Sequence, residues 1–227
     1  MLYTLIANNN RNQFDNHNGH ILQNGKVQKK PKFWNLLRDL VMDEDWNGIS
    51  DFKERDINVL QIIDEEDLTC FTFEGLKRRL KIHPETLSRI LYRLADQEIL
   101  KKSEYGYTLT SKAKKLLKSN SFDSTNPSLR LLQTFIPPEV PIKKVISNLK
   151  GKWFGVLRWL GYSITKEGEN LKWITDDGGT IISAIFCQGK LYIDAKMVSE
   201  NNLNAALNAS HQLMGYITKL ISKTRHN

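Results

Sequence analysis

The sequence predicts an α+β protein, in which a helical unit carrying one short β-hairpin is followed by a small antiparallel-sheet domain covered by a long C-terminal helix. Three observations lead there. His83-Pro84-Glu85 places a cap, a proline and an acid where a helix begins, and Leu87, Ile90, Leu91 and Leu94 then recur at helical spacing. Further on, strand-like stretches are punctuated by Asp176-Asp177-Gly178-Gly179 and Gln188-Gly189, both turn-forming. After Ser199, apolar residues return every three or four positions towards the end of the chain.

Taken in order, residues 1–30 are Asn-rich with few large apolar groups, the composition of a mobile arm. His17 and His20 lie close together without a second ligand pair, so no metal site is expected. Pro31 opens an amphipathic helix with Phe33, Trp34, Leu36, Leu37, Leu40 and Val41 apolar, which packs within its own chain or on a second subunit. Ser50 is placed to cap the next helix, turning Ile57, Leu60 and Ile63 inward and its acids to solvent. Thr72 caps another, with Leu76 and Leu80 inward and Lys77, Arg78 and Arg79 between them. Few residues separate it from Pro84, so the two helices must cross steeply.

The helix from Pro84 carries Thr86, Ser88, Arg89, Tyr92 and Arg93 off its apolar stripe. Hydroxyls, guanidiniums and a phenol reach base edges and phosphates. Ile99 to Lys102, a loop at Ser103 to Gly106, and Tyr107 to Thr110 form a hairpin tipped by Lys101, Lys102 and Tyr105. Thr110 caps a short basic helix, Ser111 to Lys118, which includes Lys112.

The net charge of +8 is unevenly placed. Between Leu76 and Lys118 stand twelve Lys or Arg against four acids, whereas Asp43 to Asp67 holds ten acids against two cations. Such segregation predicts an electrostatic footprint for a polyanion.

Thr86 to Leu94, Glu98-Ile99-Leu100-Lys101-Lys102 and Tyr107-Thr108-Leu109-Thr110 together resemble the winged helix-turn-helix of prokaryotic and archaeal transcription regulators, particularly the multiple-antibiotic-resistance-regulator type. The resemblance covers about a third of the chain and implies a domain over 31–118. It implies double-stranded DNA as partner, with Thr86, Ser88, Arg89, Tyr92 and Arg93 towards the major groove. Lys77, Arg78, Lys101, Lys102, Tyr105 and Lys112 would then contact phosphates or the groove edge. The hairpin lacks the Asp-x-Arg usual before a wing's second strand.

Residues 119–137 read as a linker, bounded by SNSFDSTNPS and Pro137-Pro138, and 138–227 as a second domain for dimerisation or sensing. It opens with a helix over Pro141 to Leu149. Strands follow at Trp153 to Leu160, Asn170 to Thr175, Thr180 to Cys187 and Lys190 to Met197. The last helix, with Leu203, Leu207, Met214, Ile217 and Ile221, lies across the sheet or pairs with a second copy to make a homodimer.

Nothing points to catalysis or a cofactor. Cys70 and Cys187 are too isolated for a disulfide framework or zinc ribbon, and His211 beside Ser210 has no acid to complete a triad. Trp153, Trp159 and Trp173 are either core or the lining of a pocket for a flat ligand. No apolar run has transmembrane length and Met1 to Ala7 is no signal peptide, so a cytoplasmic location is expected. Two rival functions stand beside DNA binding: a protein-interaction module of a transcription assembly, and a small-molecule-binding C-terminal domain.

Overall fold

The computed structural model describes residues 20–23, 26–29, 52–118, 128–164, 168–198 and 203–225. The chain divides into two compact units, Met1–Phe52 and Lys53–Asn227. In the first, β1 (His20–Gln23) and β2 (Lys26–Lys29) pair antiparallel with His20 opposite Lys29, inside the stretch expected to be an arm. The helix expected from Pro31 and the cap expected at Ser50 lie outside the described residues.

In the second unit, α1 (Glu54–Glu65) begins where the Asp56 carboxylate accepts from the Lys53 backbone N–H at 3.0 Å. A two-residue strand, β3 (Cys70–Phe71), leads into α2 (Phe73–Leu80), which Thr72 caps by accepting from the Gly75 N–H at 3.1 Å. Lys81 ends α2 in the left-handed conformation, φ 53°, and α3 (Pro84–Asp96) starts three residues later. His83 caps α3 through Nδ1, as expected. The hairpin β4 (Leu100–Ser103) and β5 (Gly106–Leu109) turns at Gly106, φ 118°, and Thr110 then caps α4 (Ser111–Lys118).

The rest of the unit consists of β6 (Leu129–Phe135), α5 (Ile142–Leu149), β7 (Leu157–Ile164), β8 (Gly168–Thr175), β9 (Thr180–Cys187), β10 (Lys190–Met197) and α6 (Leu203–Arg225). Two expectations are corrected. Residues 129–135 are a strand and not linker, and the strand expected at Trp153 begins at Leu157, because the chain first makes a loop closed by Phe154–Leu157 hydrogen bonds. Gln188 and Gly189 form the β9–β10 turn with φ 48° and 72°, the left-handed pair that a two-residue hairpin needs.

Among the described residues, all strands of this unit belong to one antiparallel sheet in the order β4-β5-β3-β7-β8-β9-β10-β6. The boundary expected at 119–137 therefore does not divide it. Short β3 is the splice, with one edge on β5 and the other on β7, where Cys70 faces Tyr162 and Phe71 faces Gly161. Two glycines permit the contact. A Cβ on Gly161 would lie 2.1 Å from the Cys70 carbonyl oxygen, and one on Gly75 2.6 Å from the Leu160 Cα. The Thr72 hydroxyl adds a hydrogen bond to the Trp159 carbonyl at 2.9 Å, tying the start of α2 to the irregularity in β7 between Trp159 and Gly161.

Helices cover opposite faces of different halves. On one side α2 packs on β7 and β8; on the other, α5 and α6 close a core that includes Leu149, Leu157, Trp159, Trp173, Leu213 and Ile217. Trp159 and Trp173 meet edge to face at 5.2 Å within that core, which settles their role as packing, while Trp153 stands outside, 59% exposed. The helix α6 lies across the sheet through Ala206, Ala209, Leu213 and Ile217.

A charged knot fastens the helices of the first half to the sheet. Glu66, 1% exposed, accepts from Arg79 Nε at 2.9 Å and Lys196 Nζ at 3.0 Å, and its backbone carbonyl accepts from Lys172 Nζ. Burial pushes the Lys172 ammonium below the usual lysine range, with Glu66 and Asp67 opposing. Nearby, burial, assisted by Asp67 and Glu65, raises Asp64 to about 6 from an ordinary 3.8. The folded state thus favours protonated Asp64, so its stabilising share is whole below pH 3.8 and is lost as pH rises through 6. Asp64→Asn should flatten the fall in melting temperature between pH 4 and 7, measured by thermal unfolding, and leave the variant the more stable at pH 7.

Candidate nucleic-acid interface

The buried stripe of α3, formed by Leu87, Ile90, Leu91 and Leu94, fixes which side faces water. Glu85, Ser88, Arg89, Tyr92 and Asp96 are exposed there, with Tyr92 at 73%. Arg89 reaches back one turn to Glu85 in an exposed ion pair, an arrangement weak enough to exchange for another anion. Thr86 is half-buried on the flank, at the rim of a cleft of about 400 Å³ floored by Val59, Leu80, Ile82 and Ile90.

Other cations predicted to face a polyanion are held elsewhere. Arg93 donates from Nε and Nη2 to the two carboxylate oxygens of Asp56, whose side chain is 1% exposed, and those hydrogen bonds raise its already high pKa. Lys77 and Arg78 share Glu74, at 2.7 and 3.1 Å, and Arg78 also lies 4.0 Å from Asp176 in the β8–β9 turn. The Lys77 hydrogen bond, above all, lowers the Glu74 carboxyl, so that this acid stays charged. Tyr105 packs edge-on against Tyr162, ring centres 6.5 Å apart, and is not free at the hairpin tip.

One acid of α1, Asp56, and Glu66 just past its end likewise depart from expectation. Asp56 and Glu66 turn inward as anchors for Arg93 and Arg79, so the acidic run and the basic run that follows it partly neutralise each other inside the fold. Of the cations predicted to face a polyanion, those left outward are Arg89 on α3, Lys101 and Lys102 on β4, and Lys112 on α4, whose Nζ donates to the Gln97 carbonyl at 3.3 Å. Lys101 and Lys102 alternate across the sheet. By register Lys101 shares a row with Thr108, Cys70 and Tyr162, and Lys102 a row with Tyr107, Phe71 and Gly161.

Among the described residues there is no group of three His, Cys, Asp or Glu able to hold a metal, and no helix long and apolar enough to cross a membrane. Comparison with protein-family models, with curated proteins and with solved structures finds no match in any of the three.

Proposed function

We propose that residues 53–118 form a winged helix-turn-helix and that the chain is a sequence-specific regulator of transcription that binds double-stranded DNA. The observation that carries this is the outer face of α3. A capped helix, three residues from its predecessor, holds Ser88, Arg89 and Tyr92 in solvent on the side opposite its buried stripe. Tyr92 in particular has no packing role that would account for a 73% exposed ring.

In this reading Ser88, Arg89 and Tyr92 meet base edges, with Thr86 at the margin, while Lys101, Lys102 and Lys112 meet phosphates. Arg93, Arg78 and Tyr105 instead contact other elements of the fold, and Lys77 pairs with Glu74 on its own helix. The protein acts within the cell and binds as a homodimer on half-sites about one helical turn apart.

Arg89→Ala should weaken binding to a selected duplex by about 1–3 kcal/mol, and a scrambled duplex much less. Its melting temperature should stay near that of the parent, since the Glu85 pair is exposed. Equal losses on the two duplexes would remove Arg89 as a base reader. A rival reading, a docking module for protein, draws support from Glu85 and Asp96, which share that face of α3. Salt separates the two. Phosphate contacts make affinity for any duplex fall steeply with added salt, and absence of duplex binding at low salt would select the rival.

A further inference from the structure

A second basic stretch lies outside the helix-turn-helix. From Val140 to Lys166 the chain has six Lys or Arg and no acid at all. Lys143, Lys144 and Lys152 are exposed and form no ion pair among the described residues, whereas Lys150 is paired with Glu169 and Arg158 with Asp176.

The loop after α5 brings this charge to the hairpin. A Cβ on Gly151 would sit 3.7 Å from the Tyr105 ring, and Lys150 Nζ lies 4.2 Å from the centre of the Tyr162 ring, itself against Tyr105. Lys101 is in the same row of the sheet as Tyr162. The row from Lys101 passes through Thr108 and Cys70 to Tyr162, and Lys150 over that ring leads on to the loop, where Lys152 and Trp153 stand in solvent. The Arg158 guanidinium lies 4.8 Å from the Trp153 ring centre and holds the indole outward. The helix α3 packs beside β4 at the hairpin's other end of this run.

Resting on the DNA-binding reading above, we propose that α5 and the loop after it are a second contact surface for duplex DNA, gripping the phosphate backbone beyond the hairpin. Lys143, Lys144 and Lys152 supply charge. Trp153 supplies a flat apolar ring for the sugar edge and an indole N–H for a phosphate oxygen. Lys143, Lys144 and Lys152, exposed and in no ion pair among the described residues, favour a polyanion over a protein surface of mixed charge.

The test uses the full chain and two duplexes centred on one selected site, the longer extended by about one helical turn on each side, roughly ten base pairs. Replacing Lys143, Lys144 and Lys152 together with Gln should reduce the slope of log affinity against log salt by up to about 2.7 on the longer duplex and leave the shorter unchanged. With Trp34 and Trp46 both replaced by Phe beforehand, Trp153→Phe should remove most of the change in tryptophan fluorescence seen when the longer duplex binds, because the two tryptophans then left, Trp159 and Trp173, are 2% and 0% exposed. Melting temperatures near the parental value confirm that the variants fold. A slope unaltered on both duplexes, or altered equally on both, overturns the second surface while the Arg89 result still stands. Failure of the parent protein to bind either duplex at low salt overturns the DNA reading itself.

Discussion

Arg93→Met is expected to cost about 3 kcal/mol of stability without making DNA binding any less selective. Asp56 is 1% exposed, and with Arg93 gone it keeps only the Lys53 N–H at 3.0 Å. A buried carboxylate stripped of its cation is among the few single changes that cost this much. Methionine refills the volume of the aliphatic stem, so the loss reports the charge and not a cavity. At this chain length about 3 kcal/mol lowers the melting temperature by roughly 6–12 °C. Denaturant unfolding gives the stability, and titration of a selected and a scrambled duplex, below the unfolding range, gives the selectivity. An unchanged melt with a loss confined to the selected duplex would return Arg93 to the base-reading set.

Gly161→Ala should be as damaging, by about 3 kcal/mol, for a steric reason. The new methyl carbon would stand 2.1 Å from the Cys70 carbonyl oxygen and 2.9 Å from the Phe71 Cα, both backbone atoms that cannot turn aside. Relief requires β3 and β7 to part, exposing Phe71, which is fully buried. Loss of their hydrogen bonds should appear as faster amide exchange at Thr69 and Thr72, whose N–H groups donate to the Tyr162 and Leu160 carbonyls. A variant as stable as the parent, with those amides still protected, would show that the sheet does not depend on the splice.

Local chemistry made much of this fold legible. Thr72, His83 and Thr110 cap the helices they were expected to cap, and β9, β10 and the turns around them stand where glycine and alternation put them. The splice was invisible because β3 has two residues, too few for a period, and its partner lies far along the chain. The strand β6 escaped because it is an edge with a register shift opposite Ile193–Asp194, which blurs the alternation of Leu129 to Phe135.

For the candidate site, the outward set of α3 followed from its stripe. Arg93 did not, since a guanidinium on the flank of a helix looks the same whether it meets phosphate or a buried acid. The signal that would have placed it was on α1. Asp56, Val59, Leu60 and Ile63 fall at i, i+3, i+4 and i+7, which sets the carboxylate in the middle of a buried stripe. Segregated charge along the chain likewise measured, in part, intramolecular pairing and not a footprint. Trp153 was expected in the core or a pocket because its stretch was expected to begin a strand, and it stands instead in an exposed loop beside Lys152.

One outcome of the shared sheet concerns inheritance. A helix-turn-helix on a tether can be cut out and joined to a new partner, but residues 53–118 would leave with the β7-facing edge of β3 bare and Gly75 resting on nothing. On the DNA-binding reading proposed above, a change of specificity would have to proceed by changing side chains on α3 in place, because the part proposed to read cannot be traded apart from the part that supports it.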